Sequence, residues 1–228
     1  MLKRSILVLL QVVWPVPLLG QACLGIPQVG RGLGLEFGTE LVRDYHIETQ
    51  FRHRSYSAAL RAPRLAGVSL DGRYRLLTSD TLYFSGTGIG AGAAVEAKVF
   101  RLSICPVGRV EYAFFRDHEV VYDPLGVVLG MKERNTSRVQ LPAGLAAGTT
   151  IDVGREIRII PSVAVGWVWT RARSRAFEDV EQEQNYRYRD LAITVGWRQV
   201  YGRARRSVVS VAKKTDPTID FAVGISIR

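Results

Sequence analysis

Long apolar runs are missing from this chain. Beyond the N-terminal twenty or so residues, no segment approaches the eighteen consecutive apolar residues of a spanning helix, which excludes a helical membrane protein. Helical periodicity is also scarce, whereas Gly (22 residues) and Val are abundant, a composition that suits an all-β domain. Only three histidines occur, His46, His53 and His118. Only two cysteines occur, Cys23 and Cys105, enough for one disulfide. Acidic residues are the minority, 21 against 31 Lys and Arg, for a formal charge of +10. That balance fits either a solvated surface or contact with anionic lipid head groups.

What is present first is an export signal. Lys3 and Arg4 precede a largely apolar stretch over 6–19, and Gly20-Gln21-Ala22 places small residues at −3 and −1. Gln11, Pro15 and Pro17 break the stretch, so it is read as a signal over 1–22 rather than an anchor, leaving one domain over 23–228. No nucleic-acid partner is expected for an exported chain.

The clearest pattern lies at the other end. Over 218–228, Ile219, Phe221, Val223, Ile225 and Ile227 alternate with Asp220, Ala222, Gly224 and Ser226. Period two marks a strand with one apolar face, and the length matches what a tilted strand needs to cross a membrane. Similar alternation runs over 31–41, 87–97, 102–115, 138–151, 157–170 and 189–201, and more weakly over 205–213. The stretch 55–70 is less regular. Asp71-Gly72 then reads as a type I′ hairpin turn before a short strand over 73–77, and Gly202 marks another turn. Polar stretches at 42–54, 116–137 and 171–188 read as long loops. The sum is an all-β, single antiparallel up-and-down transmembrane barrel of about ten strands, or eight if 55–77 is all loop.

A soluble lipocalin-like barrel also alternates, with its apolar face inward. Three features favour the membrane. Short connections follow the even strands and longer ones mostly follow the odd strands. Aromatics fall at strand ends, with Tyr112, Phe114, Trp167 and Trp169 at an outer rim and Trp197 and Tyr201 at an inner rim. The face opposite the apolar one mixes Gly and Ala with Glu36, Glu40, Glu96, Arg109, Glu111, Arg138, Arg158 and Asp220, a set that can fill a narrow lumen with paired charge. Cys23 and Cys105 both fall near the inner end, where a disulfide would tie the N-terminal lead-in to the barrel. The rival reading of Cys23 is a lipid-modified mature N-terminus, for which Gly20-Gln21-Ala22 is a poor signal.

The signal, the closing strand 219–227, the strand opening Leu102-Ser103-Ile104-Cys105-Pro106 and running through Val110-Glu111-Tyr112, and the strand Ile159-Ile160-Pro161-Ser162-Val163 together resemble small bacterial outer-membrane barrels of the OmpA-like class. The resemblance implies that class's barrel in outer-membrane lipid. The class includes anchors, adhesins, small pores and a few enzymes, so the resemblance transfers no function. Such barrels often end in an aromatic residue, whereas this chain ends Ile227-Arg228.

No motif carries chemistry. Asp117-His118-Glu119 lacks an orienting partner and a nucleophile, and His46, Glu48 and His53 match no ligand spacing. Glu178, Asp179, Glu181 and Glu183 read as a solvated acidic loop rather than a cation site. Gly86-Thr87-Gly88-Ile89-Gly90-Ala91 fits a dinucleotide fingerprint, but alternating strand–helix units are lacking around it. Asn135-Thr136-Ser137 is a chance acceptor pattern. No cofactor, metal site or catalytic activity is expected. The expected role is that of a monomeric barrel acting structurally or through long outer loops. The alternatives are a narrow pore or transport barrel, a hydrolase acting on lipid or peptide at the rim around His118, and a soluble binding barrel.

Overall fold

The computed structural model describes residues 22–26, 33–44, 51–63, 68–79, 84–122, 125, 128–175, 179–211 and 214–227. A 3-10 turn at Ala22–Leu24 precedes the strands β1 (Leu33–Asp44), β2 (Phe51–Arg61), β3 (Val68–Ser79), β4 (Phe84–Val95) and β5 (Ala97–Val99). These are followed by β6 (Leu102–Tyr122), β7 (Val128–Thr149), β8 (Ile151–Val153) and β9 (Ile157–Arg175), then β10 (Asp179–Trp197), β11 (Val200–Val211) and β12 (Lys214–Ile227). Ten of them close an antiparallel ring, because β1 pairs with β12 as well as with β2. The short β5 and β8 lie outside the ring, on β6 and β9. Of the signal read over 1–22, only Ala22 falls within the described residues.

The ring is inside-out relative to a soluble barrel. On β12, Ile219, Phe221, Val223, Ile225 and Ile227 are exposed, while Thr218, Asp220, Ala222 and Gly224 are buried in the lumen. Paired residues on neighbouring strands point to the same side, so the pattern propagates around the wall. Phe37, Leu60, Tyr74, Ile89, Leu145, Val165 and Leu191 continue the outer apolar face.

Small residues inside the wall make room for large ones. The ring of Tyr201 lies over Gly224, where any Cβ would collide with it. Tyr188 lies across Gly144 and Gly166, which are direct partners on β7 and β9; its hydroxyl is 2.7 Å from where a Cβ would stand on Gly144. These inward glycines are therefore seats for the aromatic rings of the lumen.

Several sequence expectations are corrected. Asp71 and Gly72 lie within β3 and make no turn; β2 ends at Arg61 and β3 begins at Val68, with Ala62 N–H donating to Leu70 O at 2.9 Å. Asp71 faces the lumen, where an ion pair holds it. With β2 and β3 both formed, the eight-strand alternative falls. Gly202 is inside β11, and the β10–β11 turn is at Arg198 and Gln199. The fingerprint 86–91 lies wholly in β4, so no dinucleotide turn exists there. The expected long loops 42–54, 116–137 and 171–188 are largely strand. β6, β7, β9 and β10 run 19 to 22 residues, against about 9–11 needed to span a membrane. Outside lipid both faces of a strand are wetted, so the apolar/polar alternation disappears although the ladder continues. The length difference therefore resides in strands, not in loops.

The lipid-facing assignment predicts the cost of a charge. Val223→Arg should lower stability by about 2–4 kcal/mol, as for a guanidinium facing mid-membrane lipid. Val153→Arg, in the exposed β8 at the inner end, should cost about 0–1 kcal/mol. Urea unfolding in lipid vesicles measures both.

Candidate functional site

The lumen is an ionic network built on strand register. Glu36 on β1 is 3% exposed and is shared by several donors. Arg61 Nη2 and Arg203 Nη2 each donate to it at 2.8 Å, and Tyr201 Oη donates at 2.9 Å. Arg61 Nη1 also donates to Tyr201 Oη at 2.9 Å. Arg73 reaches the same carboxylate only at 3.7 Å. Glu36 partners Ala59, and Ala59 partners Arg73, so a small residue between them lets the two charges face each other two strands apart.

Glycine performs that service one row on. Asp71 partners Gly92, and Gly92 partners Arg109. Arg109 Nη2 donates to Asp71 at 2.7 Å across the bare glycine, where a Cβ would stand 2.6 Å from Asp71 Oδ1. Further along β1 toward the outer end, Glu40 accepts from Ser55 Oγ at 3.1 Å, and Arg75 lies between Glu40 and Glu111 at 3.8 and 3.9 Å. On the other side of β1, Arg205 Nε donates to Asp220 at 2.7 Å and pairs with Asp190 at 3.5 Å. Near the outer end Arg138 stacks on Phe115, 4.4 Å from the ring centre, and Gln140 donates to Tyr186 Oη at 2.7 Å.

The inner end is occupied by the chain's own N-terminal segment. Cys23 and Cys105 form a disulfide with Cα atoms 5.9 Å apart, within the usual range. The Cys23 sulfur is thus bonded to the wall, against the lipid-modification alternative. Thr194 Oγ1 donates to Gly25 O at 2.6 Å, both in the buried interior. Gly25 takes positive φ (62°) and packs so closely on Ser162 that a Cβ would come 2.8 Å from its hydroxyl. Cys23, Leu24 and Gly25 therefore cap the lumen from below. Above them is a cavity of about 270 Å³, lined by Leu24 and Ile26 of the cap and by the charged side chains of the wall.

Of the charges singled out in the sequence, Glu36, Glu40, Arg109, Glu111, Arg138 and Asp220 meet in this lumen. Glu96 is at its inner end, accepting from Ser103 Oγ at 2.5 Å. Arg158 stands apart at the inner mouth, partly exposed and 3.2 Å from Asp152. The residues missed are Arg61, Asp71, Arg73, Arg75, Asp190, Arg203 and Arg205. Arg73/Arg75 and Arg203/Arg205 are two apart on strands, a spacing that puts both members on one face. The misplaced turns at 71–72 and 202 concealed that signal.

The aromatic assignment is corrected at one position. Tyr112, Phe114, Trp167 and Trp197 are exposed on the outer face, and Trp169 is partly so. Tyr201, 4% exposed, is inside. Trp197 pairs with Val200 across a two-residue turn, so Val200 shares its outward side and Tyr201 must point inward. At the inner rim Trp197 Nε1 donates to Glu156 at 3.0 Å, and Arg198 Nη2 donates to the same carboxylate at 2.8 Å.

His46 and Glu178 lie outside the described residues, and His53 and His118 belong to β2 and β6. Asp179, Glu181 and Glu183 are on β10, not in a loop, and Arg171 on β9 pairs with Glu181 and, at 3.7 Å, with Glu183. Among the described residues, no three His, Cys, Asp or Glu side chains are grouped to hold a metal.

Two consequences can be measured. Glu36→Gln removes the shared counter-ion of buried guanidiniums and should cost about 3–5 kcal/mol in urea unfolding, the range for breaking a buried ion pair from one side. At the rim, the hydrogen bonds from Arg198 and Trp197 hold the Glu156 carboxyl below its ordinary value. A lowered folded value means the contact is present above the unfolded carboxylate range and is lost as pH falls through the folded value. Trp197 fluorescence should therefore stay constant down through the ordinary carboxylate range and change only below it, and Glu156→Gln should abolish that change.

No protein-family profile matches the chain, and no curated protein matches it. Solved structures do match its fold. The beta domain of the Bordetella autotransporter BrkA superposes with TM-score 0.54 at 10% identity, over 86% of this chain and 100% of that one. The translocator domain of the autotransporter NalP from Neisseria meningitidis gives 0.51 at 8% identity, over 88% and 90%. The outer-membrane protease OmpT from Escherichia coli gives 0.46 at 6%, over 86% and 94%. At these identities the likeness is one of fold, a closed antiparallel outer-membrane barrel, and it does not single out the OmpA-like class. With its closed ten-strand ring, outward apolar face and internal disulfide, the chain is a transmembrane β-barrel of the outer-membrane type.

Proposed function

We propose that this protein is a narrow transport barrel of the outer membrane, held shut at its inner end by its own N-terminal segment. The carrying observation is the lumen itself: a cavity of about 270 Å³ lined by ionic side chains, above a cap that one disulfide and the Thr194–Gly25 hydrogen bond attach to the wall. A barrel serving only as an anchor would need neither a cavity nor a tethered cap. At ten strands side chains fill much of the interior, so passage is restricted to small solutes and requires the cap to shift. The reading includes export by the 1–22 signal, residence as a monomer in outer-membrane lipid, and no catalytic step.

A second reading rests on the tall strands. Above the aromatic belt β6, β7, β9 and β10 remain paired as a four-stranded sheet, from Asn135↔Arg175 on β7–β9 to Asp179↔Arg175 on β9–β10. Its outer face carries Arg116 paired with Glu133 at 2.9 Å, and Arg171 paired with Glu181. Such a platform suits contact with a surface partner.

Planar-bilayer recording separates the two. The oxidised protein should give rare, small steps, and reduction or a Cys23→Ser/Cys105→Ser pair should make them larger and more frequent. Silent bilayers in both states would discard transport and leave the surface platform.

A further inference from the structure

The charges of the lumen are unevenly satisfied. Glu36 already accepts from Arg61, Arg203 and Tyr201 at 2.8–2.9 Å. Arg73 is the fourth claimant, at 3.7 Å, beyond hydrogen-bond reach. Its side chain is 8% exposed, and its Nε is buried with no partner among the described residues. Arg75 is similarly loose, 3.8 and 3.9 Å from Glu40 and Glu111. The Nε atoms of Arg109 and Arg203 are also buried and unpartnered among the described residues. All four guanidiniums line the 270 Å³ cavity, together with Arg61 and Arg205.

Carboxylates line it too, and each has its own occupation. Asp71 is taken by Arg109 at 2.7 Å, Glu40 by Ser55 and Asp190 by Ser207 and Arg205. Glu111 is reached by Arg75 and Arg109, at 3.9 and 3.6 Å. Six arginines and four carboxylates line one partly open space. Of these arginines, Arg61 and Arg203 are held by Glu36 and Arg205 by Asp220, which leaves Arg73, Arg75 and Arg109 facing it. Buried guanidiniums with five donors each are stable only when those donors are met.

We infer that this cavity binds a small oxyanion of the phosphate type, held chiefly by Arg73 and Arg75 with Arg109 completing the cradle. A tetrahedral oxyanion offers several acceptors at once, which matches converging planar guanidiniums better than a single carboxylate does. At about 30 Å³ per water, the cavity admits such an ion with some of its hydration. The inference deepens the transport reading and rests on it for the ion's role, though binding itself needs no conduction.

The test is calorimetric titration of inorganic phosphate into the folded full-length protein in detergent, at constant ionic strength, with chloride as control. Saturable binding of one phosphate, competed by sulfate and not by chloride, is expected. Arg73→Gln should weaken it at least roughly tenfold, as for loss of hydrogen bonds from a charged group. Arg116→Gln, on the exposed outer strands, should leave it unchanged. If Arg73→Gln fails to fold, judged by heat-dependent gel mobility, Arg75→Gln takes its place with the same expectation. Phosphate indistinguishable from chloride, or full affinity in a folded Arg73→Gln or Arg75→Gln variant, would overturn the site. Binding with silent bilayers would sink transport and keep the site; currents without phosphate binding would do the reverse.

Discussion

Lipid offers no hydrogen-bond partners, and this constraint sets the rest. Every backbone N–H and C=O within the membrane must be met inside the protein. A chain without an apolar run long enough for a helix can meet that demand only by closing a sheet on itself. The pairing of β1 with β12, from Leu33↔Ile227 to Val42↔Thr218, removes the last two edges. Once closed, one face of each strand meets lipid and the other a narrow interior, and period-two alternation follows from the two solvents.

The interior then has its own requirement. Charges there are cut off from bulk water, so each needs a partner at the right row of the ladder. Register supplies it: Glu40, Asp220 and Arg205 lie in one hydrogen-bonded row across three strands. Glycine and alanine between charged positions shorten the reach, as Gly92 does for Asp71 and Arg109. The same economy seats Tyr201 over Gly224 and Tyr188 over Gly144 and Gly166. Where partners are shared too thinly, around Glu36, the lumen keeps guanidiniums facing open space. The disulfide-held cap at Cys23 closes that space from below.

The sequence was legible where lipid enforced contrast. Ile219 to Ile227, or Leu102 to Phe114, announce their two faces because the alternatives are hydrocarbon and charge. It was less legible where both faces are polar. The upper parts of β6, β7, β9 and β10 carry residues such as Arg116, Arg171 and Glu181, whose strand state comes from pairing with neighbours rather than from any pattern of their own. Local turn chemistry also misled: Asp71-Gly72 has the composition of a tight turn, but a distant partner, Arg109, keeps it in a strand. One misplaced turn at Gly202 reversed the side assigned to Tyr201 and hid Arg203 and Arg205. Shared centres such as Glu36 arise from three strands meeting, which no single-strand pattern contains.

The central claim is that the apolar face looks out into lipid and the ionic face looks in. Spin labels placed singly at 218–226 along β12, in protein reconstituted into bilayers, read this by their accessibility to dissolved oxygen and to a water-soluble nickel chelate. Oxygen accessibility should peak at 219, 221, 223 and 225 and fall at 220, 222 and 224, with the chelate excluded from the former. High chelate accessibility at 219, 221, 223 and 225 would contradict the account, because it would put the apolar face in water and not in lipid.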